Sequence, residues 1–323
     1  MSLLKVQNLT TYYDTSAGYN QALESISFDL NSNEILGLIG ESGCGKSTAG
    51  YSLMRMVERP GQIMGGSVLI DGLDLLTVDN ATHRKLLWKE IAMIPQSAMN
   101  ALDPCYKIGA QILEALKIHF PQMSKEEGMN RVHSLLEMVG LNSRIAQTYP
   151  HKLSGGMKQR AVIAMALACD PKVIISDEAT TGLDVLIEAQ ILAILRRLKK
   201  ERGLGIIIIS HDLRMVTTVC DRIGIMYAGY LVEIGSTDEI KHNAQHPYTK
   251  ALFSSQIDMN DFNRRVDSIE GVVPKSINPD DLCRFFSRCK EKVDVCNTPP
   301  PGFTSISPTH AVACFKEVLA SGK

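Results

Sequence analysis

Gly40-Glu41-Ser42-Gly43-Cys44-Gly45-Lys46-Ser47, set directly after the apolar run Ile35–Ile39, constrains the fold of this chain more than any other stretch. The pattern G-x-x-x-x-G-K-[ST] needs a strand ahead of it and a helix behind it, because its glycines curl backbone N–H groups around an anion at the start of that helix. A strand entering such a turn and a helix leaving it belong to a layered α/β architecture. In that arrangement Gly40, Ser42, Gly43, Cys44 and Gly45 line the phosphates. Lys46 bridges their oxygens, Ser47 offers its hydroxyl to Mg²⁺, and Thr48 contacts a further phosphate oxygen.

The remaining chain follows the same α/β logic. Leu3 to Leu9, Ala22 to Leu30 and Gly66 to Gly72 alternate or run apolar between polar turns and read as strands, and Ile91 to Ile94 is a strand stopped by Pro95. From about Ile108 to Tyr149 the apolar period becomes helical (Ile112, Leu113, Leu116; Val132, Leu135, Leu136, Val139), which predicts a helical insertion. Beyond Arg160, helices alternate with continuous apolar strands at 173–176, 206–210 and 223–226, the pattern of a covered parallel sheet. After about Phe253 the composition shifts to scattered Pro, Asn and Asp with four of the eight cysteines, so residues 256–323 are expected to form an appendage to a domain spanning 1–255.

Three further stretches carry chemistry. Leu153-Ser154-Gly155-Gly156-Met157-Lys158-Gln159-Arg160 opens an Ala-rich helix with a turn whose free N–H groups and positive dipole end suit an anion. Val173-Ile174-Ile175-Ser176 ends in Asp177, placed to hold Mg²⁺ through water, and Glu178, placed to polarise an attacking water. Ile209-Ser210-His211 repeats the design and offers His211 to a γ-phosphate, while Gln96 can reach both Mg²⁺ and the water.

Charge and length exclude several classes. The 34 basic and 35 acidic residues cancel, so no global field recruits nucleic acid. No window approaches the roughly 18–20 apolar residues of a spanning helix. The N-terminus lacks a basic region with a long apolar core, which favours a cytosolic, reducing compartment and argues against disulfides.

Taken in order, the phosphate loop, Gln96, Leu153-Ser154-Gly155-Gly156, Asp177-Glu178, Thr181-Gly182-Leu183-Asp184 and His211 resemble the ATP-binding cassette (ABC) ATPases over about residues 1–250. The resemblance implies a phosphate-loop (RecA-like) nucleotide-binding domain with an antiparallel β subdomain and a helical subdomain at about 97–160. It implies two cassettes facing head to tail, each ATP enclosed by the phosphate loop of one and the Ser154-Gly155-Gly156 and Asp184 of the other. It also implies Glu178, His211 and Gln96 as catalytic residues, Mg²⁺ on Ser47, Gln96 and Asp177, and an adenine-stacking aromatic at Tyr13, with Tyr12 and Tyr19 nearby. Two departures stand out: Ala179 replaces the usual proline after the glutamate and Gly182 the commoner alanine, both expected to loosen the backbone.

In the appendage Cys283, Cys289, Cys296 and Cys314 are separated by five, six and seventeen residues. Their spacing leaves an iron–sulfur site, zinc and free thiols open; zinc sites usually begin with a closer pair. Arg284, Arg288, Lys290 and Lys292 are expected to lower the thiol pKa values. His246-Pro247-Tyr248-Thr249-Lys250-Ala251-Leu252 followed by Cys283-Arg284-Phe285 and Arg288-Cys289 is similar to the C-terminal extension of oligopeptide and dipeptide importer ATPases. That similarity implies a [4Fe–4S] cluster on the four cysteines, with Zn²⁺ as the alternative. It further implies a second, different ATPase subunit, two transmembrane permease subunits and an extracytoplasmic solute-binding protein as partners, and a place at the cytoplasmic face of the membrane. Nickel, metal chelates or oligosaccharides are alternative solutes, and a repair or translation ATPase is the alternative class. A redox-sensing tail is compatible with transport.

Overall fold

The computed structural model describes residues 2–96, 101–255, 269–274, 276–279 and 282–320. The chain begins with two long strands, β1 (Ser2–Thr15) and β2 (Gly18–Asn31), then β3 (Ile35–Ile39), whose five residues are all buried. Helix α1 (Lys46–Leu53) follows the phosphate loop, and β4 (Gly61–Ile70) and β5 (Leu73–Asp74) complete a four-stranded sheet in the order β2-β1-β4-β5. The alternation of buried Leu4, Val6 and Leu9 on β1 with exposed neighbours gives that sheet one apolar face.

The next stretch contains α2 (Asn80–Leu86), β6 (Ile91–Ile94), α3 (Ile108–His119), α4 (Lys125–Met138), α5 (Gly155–Ala166), β7 (Val173–Asp177) and α6 (Val185–Arg202). Ser124 and Glu127 close a capping box at the start of α4, and Gly203 ends α6 at φ 65. The helical insertion expected from about Ile108 to Tyr149 contains α3 and α4; residues 97–100, where the helical subdomain is expected to begin, lie outside the described residues. Then come β8 (Gly205–Ser210), α7 (Leu213–Val219), β9 (Arg222–Tyr227), β10 (Tyr230–Ser236), α8 (Thr237–Asn243), α9 (Pro247–Ser254), β11 (Thr304–Ser305), β12 (Ala311–Val312) and α10 (Phe315–Ala320).

Two compact units result. The first comprises 1–4, 29–35 and 69–208 and holds the strand order β8-β7-β6, with β6 and β7 parallel in the register Ile91↔Val173 to Ile94↔Ser176. Its helices bury Ile112, Leu116, Val132 and Leu136, residues that set the helical period in the sequence, and Ile163.

The second unit comprises 5–28, 36–68 and 209–323 and runs β11-β12-β10-β9-β3, with β3 and β9 parallel. Strands β9 and β10 form a hairpin whose turn residues Ala228 and Gly229 both have positive φ, the geometry of a two-residue turn matched to strand twist. A bulge shifts the register between Leu231 and Glu233, and Leu231 to Gly235 are all buried. The fully buried Glu233 carboxylate accepts from Gln245 N (2.6 Å) and His246 N (3.0 Å) and pairs with His310 Nε2 at 2.7 Å. The tail thus joins this unit through β12, which pairs with β10 at Glu233↔Val312.

Removing a partner from a buried charged network leaves the others stranded in low dielectric. Glu233→Ala is expected to lower stability by about 3 kcal/mol or more, and Glu233→Gln, which keeps one acceptor oxygen, by less. Urea unfolding midpoints of the two variants check the order.

Candidate functional site

The phosphate loop is shaped by its glycines. Gly45 caps α1 in the left-handed region (φ 104), and a Cβ there would lie 2.3 Å from the Ala22 carbonyl, so no other residue fits. Gly45 makes no side-chain cap bond, and the positive end of the α1 dipole faces the loop. Ser42 and Gly43 are exposed on the crest, Gly45, Ser47 and Thr48 are half-buried at the helix start, and Cys44 points inward. Burial pushes the Cys44 thiol above its ordinary range against the opposing pull of Lys46. The thiol stays neutral and leaves the lysine charge for another anion. The 5%-exposed Lys46 ammonium donates to the carbonyls of Gly40 (2.8 Å) and Glu41 (3.0 Å).

In the other unit, β7 delivers a buried Asp177 and a half-buried Glu178. Glu178 has φ 44, a costly conformation for a residue with a Cβ and one that accumulates where side chains are aimed for function. Its carboxylate accepts a 2.8 Å hydrogen bond from Gln96 Nε2, so two residues 82 positions apart meet. Ser154 is the N-cap of α5 and accepts from Met157 N at 3.3 Å. Gly155 is half-buried and Gly156 buried, because a Cβ on Gly156 would lie 2.7 Å from Ile187 of α6. Asp184 is the N-cap of α6, accepting from Ile187 N at 2.9 Å. The exposed Ser154 and Asp184 therefore start two helices that touch at Gly156 and Ile187.

His211 is exposed between β8 and α7. Of the three tyrosines, Tyr12 donates to Glu24 at 2.6 Å, Tyr13 lies against Gly61 of β4, and Tyr19 is 54% exposed. Gly182 sits at φ 80 in open space, so the departure from alanine supplies a left-handed turn residue and does not merely loosen the loop.

A family model described as "ABC transporter" matches residues 23–181, and one described as "Oligopeptide/dipeptide transporter, C-terminal region" matches residues 232–296. The dipeptide transport ATP-binding protein DppD of Haemophilus influenzae is 40% identical over 325 residues, 100% of this chain and 98% of the relative. The probable peptide ABC transporter ATP-binding protein y4tR of Sinorhizobium fredii is 39% identical over 318 residues, 97% of this chain and 95% of the relative. The chain belongs to the ATP-binding subunits of peptide ABC transporters. Among solved structures, the post-hydrolysis dimer of the cassette MJ0796 bound to ADP and Pi is 27% identical with a TM-score of 0.66, covering 72% of this chain and 98% of that one. The expected ABC nucleotide-binding fold and ATPase class therefore hold for this subunit.

The tail of this ABC subunit corrects one expectation. Burial first, then the neighbouring cysteines, push the Cys283 thiol up to about 11, and burial likewise raises Cys289 and Cys314. The arginines do not lower them because they are committed elsewhere: Arg284 to Ala228 and Gln21, Arg288 to Glu41. All eight cysteines are free, and among the described residues no group of three or more His, Cys, Asp or Glu side chains converges as a metal-holding set. Among the described residues no helix is long and apolar enough to cross a membrane.

Sequence reasoning missed Tyr248, whose hydroxyl accepts from Glu41 N at 3.0 Å, and the whole attachment of the tail to the phosphate loop. The only signal was the aromatic in His246-Pro247-Tyr248. His246 caps α9 by accepting from Tyr248 N, and burial depresses its pKa from 6.5 to about 4. A histidine kept neutral in the fold but protonated when unfolded contributes stability that is complete above about pH 6.5 and falls as pH drops toward 4. That slope is expected to reach about 1.4 kcal/mol per pH unit. His246→Asn, which keeps the cap acceptor, should flatten it by one proton in urea unfolding compared at pH 7 and 5.

Proposed function

We propose that this subunit binds ATP on residues 40–48, hydrolyses it with Glu178, and thereby powers import of dipeptides or oligopeptides. The similarity that runs from the phosphate loop through the C-terminal region carries this reading, because the C-terminal region is what separates peptide-transporter subunits from other cassettes. Backbone N–H groups of the loop and Lys46 hold the β- and γ-phosphates. Glu178 polarises the attacking water, Gln96 orients it through the hydrogen bond the two already share, and His211 donates to the γ-phosphate. Ser47, Gln96 and Asp177 offer hydroxyl, amide and carboxylate oxygens, the hard donors that suit Mg²⁺, which when bound neutralises charge between the phosphates. Ser154, Gly155, Gly156 and Asp184 contact the ATP of a partner cassette; the exposed Ser154-capped helix start supports that assignment. Tyr13 stacks on adenine.

The partner is a second, different ATPase subunit, and the pair sits peripherally on two permease subunits at the cytoplasmic membrane face, served by an extracytoplasmic solute-binding protein. ATP closes the pair and hydrolysis reopens it. Reconstituted with permeases and receptor, the complex is expected to import dipeptides or oligopeptides with ATP; uptake of only nickel chelates or oligosaccharides overturns the solute assignment. Glu178→Gln is expected to lower kcat by about 10²-fold or more while retaining ATP in a closed dimer, read by phosphate release and size-exclusion chromatography.

The four tail cysteines would hold a [4Fe–4S] cluster after drawing together, since among the described residues they do not converge as a metal-holding set. Burial first, and then charge coupling to the other tail cysteines, raises the Cys283 and Cys314 thiols, which supports a shared neighbourhood, and soft thiolates suit iron–sulfur chemistry. No step of ATP hydrolysis passes through it. Protein purified without oxygen is expected to be brown with iron and sulfide; a colourless zinc protein, or one with four free thiols, overturns the cluster.

A further inference from the structure

Glu41 is the second residue of the phosphate loop, and its polar groups are all engaged. Its N–H donates to Tyr248 Oη at 3.0 Å, and its carbonyl accepts from Lys46 Nζ at 3.0 Å and Cys44 N at 3.2 Å. Its carboxylate is gripped by both terminal nitrogens of Arg288, at 2.8 and 3.0 Å. The two residues are 247 positions apart, and Arg288 lies beside Cys289 in the appendage.

The guanidinium is fixed from every side. Nε donates to the Glu270 carbonyl at 2.9 Å, Nη1 also donates to Tyr227 Oη at 3.2 Å, and Nη2 also reaches the Ile269 carbonyl at 3.3 Å. The Arg288 side chain is 6% exposed and that of Glu41 25%, so water screens the pair only partly. Tyr227, Tyr248 and Phe285 pack behind it with ring centroids 4.6 to 5.4 Å apart. A bidentate arginine–carboxylate pair held this way fixes direction as well as charge.

A carboxylate inside a loop that receives a polyphosphate repels its ligand unless the charge is cancelled. Here the cancelling cation comes from the appendage. We propose that Arg288 is a positioning residue for nucleotide binding, through which the cysteine-bearing appendage sets the ATP affinity of its own subunit's phosphate loop by way of Glu41. The proposal rests on residues 40–48 being the ATP-binding loop. The bland alternative is that the pair only fastens the tail, but the tail has separate fastenings. Arg284 grips Ala228 and Gln21 and lies 4.5 Å over the Tyr230 ring, and β12 pairs with β10.

Charge logic separates the two roles. With the full chain, titration with a fluorescent ATP analogue and steady-state ATPase assays are run on Arg288→Ala, on Arg288→Ala combined with Glu41→Gln, on Arg284→Ala and on Lys46→Met. Arg288→Ala is expected to raise Kd and KM for ATP roughly ten- to hundredfold, the range of a coupling between sites, with kcat much less affected. Adding Glu41→Gln removes the stranded carboxylate and is expected to restore most of the affinity. A wild-type Kd in Arg288→Ala, or no restoration by Glu41→Gln together with an equal loss in Arg284→Ala, overturns the proposal. If Lys46→Met still binds ATP normally, the loop assignment itself fails; if it abolishes binding while Arg288→Ala binds normally, only the role of Arg288 fails.

Discussion

The rest of the nucleotide-facing structure depends on one buried cation. Lys46 lies almost wholly out of water, and its ammonium is met by the carbonyl dipoles of Gly40 and Glu41. Dipoles alone compensate a desolvated charge poorly, so such a lysine favours an anion. The loop keeps that preference from being satisfied internally: burial holds Cys44 as a thiol, and the Glu41 carboxylate is turned to Arg288. The start of α1 after Gly45 adds the positive end of a helix dipole to the same place. What remains is a cationic loop with no carboxylate of its own turned toward Lys46.

The Asp177–Asp184 stretch shows a different kind of preparation. Glu178 is held at positive φ and its carboxylate is already bonded to Gln96, so aiming the carboxylate is done before substrate arrives. Gly182, at φ 80 a few residues on, lets the chain turn toward the Asp184 cap that starts α6. The run from Asp177 to Asp184 is thus a fixed sequence of special backbone states, and the replacement of alanine by Gly182 fits that geometry.

Much of this was legible in the sequence where chemistry sits in contiguous residues. The phosphate loop, the Ser154 cap and the acid-ended strand each combine a backbone requirement with a functional group inside a few positions, so pattern and mechanism coincide. The β and helical segments were legible for the same reason: Leu4, Val6 and Leu9 or Val132 and Leu136 report their periods directly. Extent was less legible, since β1 runs from Ser2 to Thr15 and β4 begins at Gly61, where the apolar alternation is absent. The thiol electrostatics were misread because neighbours in sequence, Arg284 and Arg288, spend their charge on Ala228, Gln21 and Glu41, which lie far away in the chain.

That misreading has a physical lesson for the tail. An arginine next to a cysteine lowers its pKa only if the guanidinium is free to face the sulfur. Here both guanidiniums are bonded elsewhere in the same unit, Arg288 to Glu41 of the phosphate loop and Arg284 to Ala228 of the β9–β10 turn. Burial first, and then the neighbouring cysteines, raises the Cys283 thiol, while the side chains between Cys283 and Cys289 become fastenings. Any change that moves the Cys283–Cys289 backbone must therefore be felt at Gln21 and Glu41, because two rigid, multiply bonded guanidiniums cannot follow it without giving up those bonds.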